Sequence, residues 1–115
     1  MKKTSSGSRK KLPPIWAEKV DRLEEVVAYE FGFETTNEIW KRVRTPYSCW
    51  ARWITWHWML KWGMTSVMAG QYSGFHHSSV LYGVTSLIRD SIQVDDLQQI
   101  ITRINTKSSE QPPIE

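Results

Sequence analysis

Residues 64–84, MTSVMAGQYSGFHHSSVLYGV, read as a short helix, a tight turn and a second helix. Val67, Met68 and Tyr72 have the spacing of one buried helical face. Ser73-Gly74 punctuates the stretch. The second helix opens on His76, His77, Ser78 and Ser79, and its apolar residues, Val80, Leu81 and Val84, come later. A helix that is small and polar in its first turn and apolar afterwards docks by its far end. Its N-terminus is left to meet another molecule, which is the layout of the recognition helix in a helix-turn-helix.

The same period runs through the rest of the chain. Pro13-Pro14 can open a first helix, because a first turn needs no N–H from proline. Ile15, Trp16, Val20, Leu23, Val26, Val27 and Phe31 form its apolar stripe; Glu18, Asp21, Glu24 and Glu25 face away, and Gly32 ends it. Thr35 and Glu38 have capping-box spacing and begin a short helix through Ile39, Trp40 and Val43. A third helix spans residues 46–62 and carries five of the seven tryptophans. Trp53, Ile54 and Trp56 are assigned to the core, Trp58 and Trp62 to the surface, and Gly63 to the C-cap. The recognition helix continues through Leu87, Ile88 and Ile92, and Asp95 caps a last helix that turns Leu97, Ile100, Ile101 and Ile104 inward. No run alternates as a strand would. The expected fold is therefore all-α, a small bundle of about six helices containing a helix-turn-helix, over residues 13–106. Residues 1–12 read as a disordered basic arm, and residues 107–115 as a flexible tail.

Charge is segregated along the chain. Residues 1–12 hold five cations and no acid, and residues 13–38 hold seven acids against two cations. Residues 39–89 hold Lys41, Arg42, Arg44, Arg52, Lys61 and Arg89 with no acid at all. A purely basic half that contains the helix-turn-helix points to a polyanionic partner. The only cysteine, Cys49, excludes a disulfide framework within the chain. The basic N-terminus is followed by no apolar run, so it does not read as a signal peptide. The most apolar stretch, residues 50–68, is interrupted by Arg52, His57 and Lys61 and is a poor membrane span.

Catalytic and metal chemistry find no footing. His76 and His77 are adjacent and diverge on a helix, and Cys49 and His57 are eight positions apart, about 12 Å of helical rise. No phosphate-binding loop, nucleophile elbow or paired-carboxylate motif is present. The reading is a non-enzyme with no cofactor and no metal.

The stretch M-T-S-V-M-A-G-Q-Y-S-G-F-H-H-S-S-V-L-Y-G at residues 64–83 resembles the helix-turn-helix signature of the C-terminal DNA-binding domain of the bacterial replication initiator DnaA, S-L-x-x-I-G-x-x-F-G-G-R-D-H-T-T-V-x-H-A. Met68, Ala69, Tyr72, Gly74, His77, Ser78, Ser79 and Val80 carry the likeness. It extends upstream over roughly residues 16–90: Val27-Ala28-Tyr29-Glu30-Phe31-Gly32 resembles the end of the family's first helix, Lys41–Arg44 its basic loop, and Ala51-Arg52-Trp53 the opening of its long helix. A deletion of about two residues near Gly63 reconciles the two registers. The resemblance implies a divergent, stand-alone domain that binds double-stranded DNA. Arg44 then matches the arginine that enters the minor groove, and His76, His77, Ser78 and Ser79 match the residues that read major-groove bases and phosphates. Lys41, Arg42, Arg52 and Lys61 add cations, and the N–H groups at the helix start favour phosphate. Phe75 and His76 replace the family's arginine and aspartate, so the family's target sequence is not carried over.

The expectation is a duplex-DNA-binding protein acting in replication initiation or its control, bacterial or phage-encoded, in the cytoplasm at the nucleoid. With no phosphate-binding loop in these 115 residues, ATP-driven origin melting is not carried over. The alternative is a protein-interaction module that uses a Trp-rich surface at Trp58 and Trp62 as a partner or competitor of the initiator.

Overall fold

The computed structural model describes residues 12–109. The fold is all-α. Helix α1 spans Pro14–Phe31, a 3₁₀ helix spans Thr36–Trp40, and α2, α3, α4 and α5 span Pro46–Lys61, Ser66–Ser73, His77–Gln93 and Asp95–Ser109. No strand occurs among the described residues, and no helix among them is long and apolar enough to cross a membrane.

Helix α2 is the centre of the bundle. Ala51, Ile54, Thr55, Trp56, Trp58 and Met59 are all buried, which covers more than one face. A helix enclosed by neighbours needs no single apolar stripe, and α2 packs against α1, the 3₁₀ helix, α3 and α4. Thr55 meets the cost of burial by donating its hydroxyl to the Ala51 carbonyl at 2.8 Å. Trp58, expected at the surface, is only 8% exposed, and its indole N–H donates to Asn105 Oδ1 of α5 at 3.2 Å. Trp62 is half-buried against the Trp58 ring, with the Lys19 ammonium over its face at 4.7 Å. Helix α5 therefore supplies the cover that periodicity within α2 could not reveal.

Helix α1 begins at Pro14 and ends where Gly32 turns left-handed, with φ 76°. Val20, Leu23, Val27 and Phe31 face inward as expected, whereas Ile15 is largely exposed. Glu24, expected to face away, is 4% exposed. Its Oε2 accepts from Trp40 Nε1 at 2.7 Å and from the Tyr72 hydroxyl at 2.6 Å. One carboxylate thus ties α1 to the 3₁₀ helix and to α3. The capping box of Thr35 and Glu38 forms as expected, but the helix stops at Trp40 and Val43 lies exposed beyond it. The chain turns extended at Lys41, with φ −68° and ψ 145°, and beyond it the carbonyls of Lys41 and Val43 accept from Arg52.

Helices α3 and α4 are joined by Gly74, Phe75 and His76. The buried face of α3 is Ala69, Gly70 and Ser73; Val67 is exposed, and Met68 and Tyr72 are half-buried. A Cβ on Gly70 would come within 2.5 Å of the Phe75 carbonyl oxygen, so the turn folds back tightly over small residues. Helix α4 buries Val80, Gly83, Ser86 and Leu87, while Leu81, Ile88 and Ile92 point outward. Gly83 leaves room for the Trp53 ring, which a Cβ would meet at 2.4 Å. Helix α5 packs Leu97, Ile100 and Ile104 into the core and continues to Ser109, past the expected tail boundary at residue 106. Arg103 and Lys107 bracket Glu30 of α1 at 2.7 and 3.0 Å. The basic arm at residues 1–11 and the tail beyond residue 109 lie outside the described residues.

Candidate nucleic-acid interface

The loop between the 3₁₀ helix and α2 has no backbone ladder of its own, and two arginines hold its shape. Arg52 is 6% exposed; its Nη2 donates to the Val43 carbonyl at 2.9 Å and its Nη1 to the Lys41 carbonyl. Burial pushes the Arg52 pKa below its ordinary value, which still leaves the guanidinium charged near neutrality. Arg42 reaches across the loop, donates to the Gly74 carbonyl in the α3–α4 connection, and lies 4.3 Å from the Phe75 ring centroid. The Arg52 guanidinium lies 5.3 Å from the same ring, and Phe75 meets Trp56 edge-on at 5.3 Å. Phe75 is the hub on which the basic loop, α2 and the turn before α4 converge.

Around that hub opens a groove of about 740 Å³. The loop contributes Arg42 and Arg44 to its lining, and α4 contributes Ser78, Ser79 and Tyr82. Its floor is Cys49, Arg52, Trp53 and Trp56 of α2, together with Phe75. No carboxylate lines it, and none of the three arginines has an ion-pair partner among the described residues. Three guanidinium groups without a carboxylate partner give this concave, partly aromatic groove a positive field.

The start of α4 is built differently from the expectation. His76 is the N-cap, with φ −71° and ψ 148°, and its Nδ1 accepts from the Ser78 N–H at 3.1 Å. The Ser79 N–H is taken by the His76 carbonyl at 2.9 Å. These two N–H groups, expected to be open to phosphate, are satisfied within the turn. His76 precedes the helix, and its ring lies 4.2 Å from that of His77. Among the described residues, no three histidine, cysteine, aspartate or glutamate side chains gather as metal ligands.

The nine residues named from sequence thus divide. Arg42, Arg44, Arg52, Ser78 and Ser79 line the groove, with Arg52 serving the loop from beneath. Lys41 is an exposed neighbour in the loop, and His76 and His77 are exposed at the α4 start. Lys61 lies at the opposite end of the 16-residue α2, about 24 Å of rise from the loop, with its ammonium over the Trp58 ring. Trp58 and Trp62 do not form an exposed patch, since the first is buried and the second half-covered. Trp53, expected in the core, Phe75, noted only as a departure from the family's pattern, and Tyr82 also line the groove and were not expected there. The signal for Tyr82 was its spacing: four residues beyond Ser78, it shares that residue's helical face. Comparison with family models, with curated proteins and with solved structures returns no match.

Proposed function

We propose that this chain binds double-stranded DNA through the groove between the 41–45 loop and the start of α4, with α3 and α4 acting as a helix-turn-helix. The observation that carries the reading is that Arg42 and Arg44, from one element, and Ser78 and Ser79, from another, line the same carboxylate-free groove. In this reading the exposed first turn of α4 meets the major groove, and Arg44 enters the adjacent minor groove. Lys41 and the serine hydroxyls contact phosphates. Arg42 and Arg52 hold the loop. The resemblance to the DnaA C-terminal domain adds the setting, initiation of replication or its control.

The test is selection from a random duplex pool at two salt concentrations, followed by titration of the enriched site. Arg44→Ala should weaken binding by about 1–3 kcal/mol. Lys61→Ala, at the far end of α2, should leave affinity unchanged near physiological salt. Failure of any duplex to bind, or equal losses from Arg44→Ala and Lys61→Ala, overturns the reading. Enrichment of a site whose sequence changes in His76→Asp assigns His76 to base readout; an identical site in both proteins leaves it as a cap.

A further inference from the structure

Tyr82 is a large aromatic side chain left 63% exposed on the wall of the groove. An exposed tyrosine is unremarkable when it moves freely, but this one is braced against a fixed partner. Its ring stands edge-on to Trp53, with centroids 6.3 Å apart and planes at 85°. The Trp53 contact is itself fixed, because Gly83 on the next position of α4 leaves only enough room for that indole. Arg89, on the same helix, is paired with Asp90 at 3.3 Å. The result is a water-facing π surface braced on one edge, so part of its rotamer freedom is already spent before any ligand arrives.

The same groove carries Arg44, for which no described residue offers a hydrogen bond or ion pair, and Arg42, whose charge has no carboxylate partner. A planar aromatic ligand that also carries phosphate matches both features. Duplex DNA satisfies only the second, since its paired bases present no face to a side chain on the groove wall. We propose that the groove also seats an unpaired nucleotide of a single-stranded nucleic acid, its base stacked on Tyr82 and its phosphate on Arg44 and Arg42. Aromatic platforms beside a cationic track are how single strands are held without base pairing. This inference concerns the same groove as the duplex reading but does not need it to hold.

The test titrates the full chain with a labelled oligo-dT 12-mer, its RNA counterpart oligo-U, a duplex of equal length, and free dTMP. Tyr82→Ala should weaken single-strand binding at least about fivefold, the scale of one lost base stack, and by more than it weakens duplex binding. Tyr82→Phe should retain single-strand binding, since it keeps the ring. Tyr82→Leu keeps bulk without a π face and should lose it, which separates stacking from packing even if the alanine variant unfolds. Oligo-U binding as tightly as oligo-dT supports the stacking reading, because every base offers a face. The inference is overturned if the wild type binds duplex alone, if Tyr82→Leu binds the single strand as wild type does, or if Tyr82→Leu weakens duplex and single strand equally. Competition by dTMP at the concentration of the oligomer would assign the groove to a free nucleotide and overturn it too. Single-strand binding with no duplex binding would remove the duplex reading and leave this one standing.

Discussion

Arg52, buried in α2, holds the carbonyl of Val43 at 2.9 Å, and through it the backbone from which Arg44 projects. One guanidinium thereby sets the position of another that faces the groove. Removing it leaves the Val43 and Lys41 carbonyls without that partner. Arg52→Ala should lower unfolding stability by about 1–3 kcal/mol and reduce DNA affinity as the loop loosens. Arg44→Ala, at an exposed site, should change stability by less than about 0.5 kcal/mol while still reducing affinity. Denaturant unfolding and DNA titration on both variants separate the roles; equal stability losses would show that Arg52 does not organise the loop.

Glu24 joins three elements through one buried carboxylate oxygen. Glu24→Gln preserves an acceptor for the Trp40 indole and the Tyr72 hydroxyl and should be mild. Glu24→Leu strands both donors, each at a cost of about 1–3 kcal/mol. Chemical denaturation should rank wild type above Gln above Leu. A leucine variant as stable as wild type would mean that burial of the carboxylate costs as much as its hydrogen bonds return.

His76 caps α4 through a ring nitrogen, an uncommon choice for that position. His76→Ala should cost about 1 kcal/mol, the usual scale of a lost N-cap. His76→Asp should recover most of it, because aspartate accepts the same N–H and suits the positive end of the helix. Thermal unfolding of the two variants is the measurement, and equal midpoints for alanine and aspartate would remove the capping role.

Stability should fall in two steps as the solution is acidified. Burial, aided by the Lys61 charge, holds the His57 pKa below its ordinary 6.5. For Glu30, burial opposes ionisation, but the hydrogen bonds and charges of Arg103 and Lys107 prevail and hold its pKa below the ordinary 4.5. Both groups bind a proton more readily when unfolded. Each contribution is therefore whole above the unfolded pKa and is lost as pH falls through the folded one. Denaturation midpoints should begin to drop below about pH 6.5 and again below about pH 4.5. His57→Gln should abolish the first step and Glu30→Gln the second. A midpoint that stays level from neutrality to pH 4 would rule out the His57 contribution.

The helical class, the proline and glycine boundaries of α1, the Thr35–Glu38 capping box and the inward faces of α1 and α5 were legible in the sequence. Each depends on interactions within a few residues, or on one stripe meeting one neighbour. The basic character of residues 39–89 was equally plain, because charge needs no geometry to be counted. What covers a residue from another element was not legible. Trp58 lies under α5, Glu24 lies under Trp40 and Tyr72, and α3 docks through Ala69, Gly70 and Ser73 while Val67 faces out. Hydrophobicity ranks side chains by size and polarity, but close approach between backbones favours the smallest ones. The groove, too, was decided by tertiary structure. Sequence placed cations in the half of the chain that holds α3 and the start of α4, but their division into Arg52 and Arg42 holding the loop, Arg44 facing outward and Lys61 standing far away follows from which carbonyls and rings lie within reach. Those partners lie far apart in the chain, Arg42 and the Gly74 carbonyl by 32 residues, and only the folded packing brings them together.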